Sequence, residues 1–222
     1  QIRKGTQLHV LFKECADIKM PDQLNLDVLE VDYENVVLKP SELQKQMVEA
    51  LGVRADAVRA GGVDSSIDNM LKITTDGRKL ALDERLIDPM LPDEPESKTN
   101  ACVEQVLRVW EETAPIKGAQ VIFYDQSTPK GDGSYNVYDD IKAKLMERGM
   151  PEAEIAFIHD AKTEPQKAEL FAKVRSGQMR VILGSTSKMG AGTNIQTRLA
   201  ALHHLDVPWR PADEEPISRY IA

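Results

Sequence analysis

The apolar positions of this chain change their rhythm near residue 97. Before it the spacing is helical. Ser41 and Gln44 form a capping box just after Pro40, Leu43, Met47, Ala50 and Leu51 share one helical face, and Gly61-Gly62 closes the segment after Arg59. Ile67, Met70 and Leu71 predict a second short helix, and Leu80, Leu82 and Leu86 a third. Further upstream, LDVLEVDYENVVLK (residues 26–39) alternates and is β-branched, which predicts one or two extended strands. The boundary is LPDEPESKTN (residues 91–100), two prolines and acids between patterned segments.

Past the boundary, helix and strand alternate. Cys102, Val103, Val106, Leu107 and Trp110 mark an amphipathic helix ended by Pro115, and AQVIFY (residues 119–124) is a short apolar strand. Ile141, Leu145 and Met146 mark a helix closed by Gly149, followed by the strand IAFIH (residues 155–159). Thr163 and Gln166 form a second capping box with Pro165 in the first turn, Leu170, Phe171 and Val174 make the buried stripe, and Gly177 stops the helix. MRVILG (residues 179–184) and ALHHLDV (residues 201–207) are the third and fourth strands. Short, continuously apolar strands separated by helices are what a parallel sheet covered on both faces requires. The expected fold is α/β: a mainly helical segment with one or two strands (1–97), a parallel sheet with helices on both faces (98–215), and a divergent tail (216–222).

Composition adds bounds. The 222 residues are 41% hydrophobic and 29% charged, ordinary for a globular protein, and the net charge of −8 argues against a protein coated in basic residues for nucleic acid while leaving room for a local basic face. Cys15 and Cys102 lie far apart, with neither a disulfide framework nor metal-ligand spacing; they read as reduced thiols of a cytoplasmic protein. No apolar run approaches the roughly 18–20 residues a membrane span needs. His203 and His204 are adjacent on a strand and point to opposite faces, so one core and one surface histidine are expected, not a shared metal; His9 and His159 have no ligand-spaced neighbours. Trp110 is expected in the core, and Trp209 in a packed corner or against a partner. The chain opens on Gln1, not Met, so a start inside a longer polypeptide is expected.

The chemistry of a parallel sheet sits in the loops beyond the carboxyl ends of its strands. The most telling is STSKMGAGTN (residues 185–194). Ser185, Thr186 and Ser187 offer hydroxyls, Lys188 a cation, and Gly190 and Gly192 let backbone amides approach an anion. By composition alone, phosphate contact and an ordinary Gly/Ser loop both remain open. Gly190-Ala191-Gly192 is not a dinucleotide fingerprint, because the third glycine is missing and too little sheet follows; nor does the chain contain a Walker-type GxxxxGK[ST].

Order and spacing carry a resemblance. QVIFYDQST (residues 120–128), the run from IAFIHD to ILGST (residues 155–186), KMGAGTN (residues 188–194) and LHHLDVPWRPAD (residues 202–213) together resemble the second RecA-like lobe of a Swi/Snf-type superfamily-two DNA helicase. More narrowly, KMGAGTN followed by LHHLDVPWRP is similar to the helicase part of plasmid and integrative-element proteins in which that motor is joined to an adenine-specific DNA methyltransferase. The resemblance covers nearly the whole chain. It implies a DNA-dependent ATPase lobe of the bacterial cytoplasm, with DNA and a first RecA-like lobe as partners, no membrane, and ATP and Mg bound only together with that first lobe. Ser127 and Thr128, and Ser185 and Thr186 with Lys188, would face the DNA backbone; Gly190, Gly192 and Asn194 would line the nucleotide interface. Asp213 and Glu215 match the start of the final, arginine-finger motif, but Pro216, Ile217 and Tyr220 stand where that motif needs glutamine and two arginines, with Arg219 off position. An arginine finger contributes roughly 10³–10⁵-fold in rate in related enzymes, so no catalytic set is intact, no metal ligands are assigned, and no ATP hydrolysis by the chain alone is expected. The last seven residues read as a frayed tail, as of a truncated or frame-shifted gene end. The other reading is a degenerate, non-catalytic DNA- or protein-interaction module from a decayed mobile element.

Overall fold

A computed structural model describes residues 32–129, 131–189 and 195–206. Those from Tyr33 onward belong to one compact unit. Its first helix, α1 (Glu42–Arg59), starts where the capping box predicts: the Ser41 hydroxyl accepts from the Gln44 amide at 3.0 Å, and the Gln44 side chain accepts in return from the Ser41 amide. The Ser41 hydroxyl also donates to Glu84 at 2.6 Å, so one cap ties the helix start to a distant turn. The expected stripe is only lightly covered. Leu43 and Ala50 are exposed, and the helix's buried residue is Ala55.

Helix α2 (Met70–Leu82) replaces the two short helices expected between Ile67 and Leu86. Asn69 caps it by accepting from the Lys72 amide, which leaves Ile67 outside in the preceding turn, and a short 3₁₀ turn (Glu84–Leu86) follows. The helix runs unbroken because its last turn is apolar and buried, with Leu80 and Leu82 at 2% and 1% exposure. Arg54 of α1 pins α2, pairing with Asp68 at 2.7 Å and Asp76 at 2.9 Å. The strand expectation for residues 26–39 is corrected where it can be seen. Residues 32–39 form no strand; they are mostly exposed, and among the described residues no strand pairs with them. Residues 26–31 lie outside the described part, as do Cys15 and His9.

The sheet follows. Helix α3 (Lys98–Glu112), capped by Ser97, leads into β1 (Ala119–Phe123); α4 (Val137–Glu147) precedes β2 (Ile155–Phe157); α5 (Glu164–Ser176) precedes β3 (Val181–Gly184); a one-turn helix α6 (Thr186–Met189) follows it, and β4 is Leu199–His204. The order is β2-β3-β1-β4, parallel throughout, with Ile122 opposite Leu183 on one side and His203 on the other. β1 is buried along its whole length, and its alternate residues face two different cores. Ile122 and Tyr124 join Val103, Val106, Ile141 and Leu145 under α3 and α4. Val121 and Phe123 join Leu170, Phe171 and Val174 under α5, with Met189 of α6. This is the expected α/β, RecA-like arrangement, a parallel sheet with helices on both faces behind a mainly helical segment. Full burial of each such side chain contributes about 1.5–3 kcal/mol.

Local signals upstream of each strand hold. The second capping box forms around Thr163 and Gln166, and Gly177 ends α5 at φ 77°, the left-handed conformation glycine adopts without strain. Several bounds shift. β2 stops at Phe157, so that His159 lies in a 3₁₀ turn and not on the strand, β3 begins at Val181, and β4 runs from Leu199 to His204. The run after β3 does not open as a loop: Thr186–Met189 close one helical turn. Trp110 is half-buried at the edge of the core, its indole N–H donating to Glu154 at 2.7 Å.

The histidine pair divides as expected. His203 Nε2 lies 2.9 Å from the Gln120 Oε1, and since the Gln120 amide nitrogen donates to the Val106 carbonyl, that oxygen must accept from the imidazole. His204 is exposed and stacks on Phe123. Burial, reinforced by His204 and Arg108, lowers the His203 pKa to about 4, against an ordinary 6.5. Above pH 6.5 neither state is protonated there. As pH falls from 6.5 to 4 the unfolded chain takes up a proton that the folded one refuses, so stability is lost across that window, by up to about 3 kcal/mol. Urea unfolding at pH 7 and pH 4.5 should show this loss shrinking in His203→Gln; an equal loss in both proteins would mean that other groups cause it.

Candidate functional site

Three loops leave the carboxyl edge of the sheet close together, because β3, β1 and β4 are neighbours. Beyond β1, Asp125 and Gln126 present their amides to one oxygen of Asp206, which follows β4, at 3.0 and 3.1 Å. Asp125 in turn accepts from the Thr186 amide at 2.8 Å, at the start of α6 beyond β3. Burial pushes the Asp206 carboxyl above its usual range; the two amide bonds and Arg78 oppose that push, while Asp125 adds to it.

Around this chain of bonds sit the described residues for which the family resemblance implies a place on a phosphate-facing edge. Ser127 adopts φ 65°, unusual for a non-glycine residue, and its hydroxyl accepts from the Val137 amide at 3.0 Å, the first amide of α4. Thr128 is exposed beside it. Ser185 and Thr186 are 5% and 9% exposed, and the Ser185 hydroxyl lies 3.2 Å from that of Ser187. Lys188 is exposed on α6. The structure therefore brings Ser127, Thr128, Ser185, Thr186 and Lys188 to one edge, with Thr128 and Lys188 outward and Ser127, Ser185 and the Thr186 amide engaged within the protein. Gly190, Gly192, Asn194, Asp213 and Glu215 lie outside the described residues, as do Trp209 and the tail 216–222.

The edge holds residues that sequence reasoning left out. Asp125 and Asp206 are the joints between the loops; the signal available was an acid within two residues of the end of two strands. Tyr138 is the other, its hydroxyl donating to the Tyr124 carbonyl at 3.1 Å and lying 3.1 Å from His159 Nε2. With that hydroxyl proton committed, His159 meets it as the Nε2–H donor. Burial, then Lys188, lowers the His159 pKa, while Asp160 works against them.

A second polar cluster joins the helical segment to the sheet. Oxygens of Asp83, Asp93 and Asp140 lie within 4.8 Å of one another, a spacing that could suit a cation. Arg85 already fills it, reaching Asp83 at 2.7 Å, Asp93 at 2.9 Å and Asp140 at 2.9 Å with its guanidinium 4.5 Å from the Tyr135 ring centre, and Lys144 pairs with Asp93 and Asp140. Asp83 also accepts from Thr99 and Tyr135. Two cations against three carboxylates make this a brace and not a vacant metal site. Cys102 is buried, and burial pushes its thiol up to about 12, which leaves it unreactive. Among the described residues no helix is long and apolar enough to cross a membrane.

Architecture and edge together define an α/β domain whose polar loops converge beyond the strand ends. Neither the protein-family models nor the curated proteins contain a match to this chain.

Proposed function

We propose that this chain is the second motor lobe of a DNA-dependent ATPase of the Swi/Snf-like helicase class, contributing DNA-backbone and nucleotide contacts and not hydrolysing ATP by itself. One observation carries the reading: the hydroxyl- and lysine-bearing turns after β1 and β3 lie side by side, stitched by the Asp125–Thr186 bond. Thr128 and Lys188, both exposed, would be the groups that reach a phosphate directly. ATP and Mg would be bound between this lobe and a first lobe that supplies the phosphate loop, for which this sequence has no GxxxxGK[ST]. In support, the sheet order puts the strand leading to Ser127 at the centre, where a crevice between crossovers receives ligands in parallel α/β sheets.

The test is duplex DNA binding at low and moderate salt, with phosphate release measured alongside. Binding that weakens steeply with salt is expected, since neutralised phosphates release counterions, and Lys188→Ala should flatten that slope by about one ion. No binding at low salt would remove the support for the DNA reading; ATP turnover above a buffer control would overturn the inactivity of the isolated chain. One observation favours the second reading, a degenerate interaction module from a mobile element: Ser185 and the Thr186 amide are already spoken for inside the protein. A neighbouring open frame encoding a Walker loop and an acidic magnesium motif would decide for the motor.

A further inference from the structure

Two acids of the carboxyl edge, Asp125 and Asp206, stand where a phosphate-facing surface should avoid negative charge, and both accept hydrogen bonds from backbone amides. Asp206 holds the Asp125 and Gln126 amides, and Asp125 holds the Thr186 amide, so that three bonds cross the order β4, β1, β3 in sequence. Ionised acceptors make shorter and stronger bonds to N–H donors than neutral ones do. The residues that follow immediately are Ser127 and Thr128 on one loop and Ser187 and Lys188 on the other. Ser127 is gripped from its far side as well, by the Val137 amide, in a left-handed conformation that a freely moving loop would leave. The loop beyond β1 is therefore anchored at 125–126 from β4 and at 127 from α4, which fixes the outward position of Thr128.

We propose that Asp206, acting through Asp125, is the positioning residue of the DNA-contacting edge: it sets the loop that presents Thr128 and fixes the turn that presents Lys188 relative to it. This rests on the DNA reading of that edge. Asp206 touches no ligand in this scheme; it acts through the two loops.

The test compares Asp206→Asn with Asp206→Ala in the full 222-residue chain, reading duplex DNA affinity at low salt and hydrogen exchange of the Asp125, Gln126 and Thr186 amides. Asparagine keeps an oxygen that can accept from both amides, so Asp206→Asn should bind DNA within about threefold of the unaltered chain and keep the amides protected. Alanine removes the acceptor, so Asp206→Ala should bind roughly tenfold more weakly or worse and expose the Asp125 and Gln126 amides to exchange, as loss of charge-assisted hydrogen bonds implies. Should Asp206→Ala fail to fold, Asp125→Asn against Asp125→Ala poses the same question at the second joint, read at the Thr186 amide. Unchanged affinity in the alanine variants, or an asparagine variant as weak as alanine, overturns the positioning role. If the unaltered chain binds no DNA, the DNA reading fails and the positioning role with it; protection of the three amides that is lost only in the alanine variants then shows a purely structural brace.

Discussion

Replacing Arg85 with alanine is expected to destabilise the folded chain by about 3–5 kcal/mol, the range found when one partner of a buried ion pair is removed and the other stays buried. The guanidinium is 10% exposed and is shared by Asp83, Asp93 and Asp140, whose side chains are 3%, 39% and 15% exposed. Without it Asp83 keeps hydrogen bonds from Thr99 and Tyr135 but loses its countercharge. Burial by itself would raise the Asp83 pKa; the Arg85 bonds outweigh that and hold it below the usual carboxylate range. This group therefore stabilises the fold at neutral pH and stops doing so as pH falls through its depressed pKa. Arg85→Lys should recover only part of the loss, because an ammonium cannot form the forked pair with Asp83. Urea unfolding at pH 7 measures both variants. A loss under 1 kcal/mol in Arg85→Ala, a value typical of exposed pairs, would show that the cluster is solvated and does not brace the helical segment against α4.

The second large effect is expected at Gly184, the last residue of β3. A methyl group there would come within 2.5 Å of the Met189 sulfur and 2.6 Å of Ile158 Cγ2. Met189 is flexible and can withdraw, but Ile158 is β-branched, stiff at its first side-chain torsion and 0% exposed, so it cannot turn outward into solvent. Overpacking of this kind costs about 1–3 kcal/mol. Since Gly184 directly precedes Ser185 and Thr186, the displacement should also disturb the Asp125–Thr186 bond. Gly184→Ala should therefore lower both the unfolding midpoint and the protection of the Thr186 amide. A variant with wild-type stability would mean that β3 and α6 pack more loosely than the distances imply.

Much of this fold is legible in the chain because its signals are local. The two capping boxes, the Gly177 stop and the buried stripe of α5 depend on residues three or four apart, and all appear where expected. Strands β1 and β3 are readable as well, since a parallel strand buried on both faces must be apolar throughout. The misreadings come where neighbours overrule local preference. Residues 32–39 have strand composition, but among the described residues no strand pairs with them. Ile67 to Leu86 reads as two helices because burial of Leu80 and Leu82, which joins them, comes from other elements. Ser185 and Thr186 look like exposed hydroxyls, yet the Asp125 carboxylate draws the Thr186 amide inward.

The alternation of helices and strands, the caps that start them and the residue types gathered beyond β1 and β3 follow from local spacing along the chain. That β1 lies between β3 and β4, that Asp206 and Asp125 join three loops, and that Arg85 gathers three aspartates depends on packing between distant parts of the chain. Those bonds link residues as much as 55 to 81 positions apart. No periodicity within one element encodes such a partner; it is set by which strands pair and which faces are buried together.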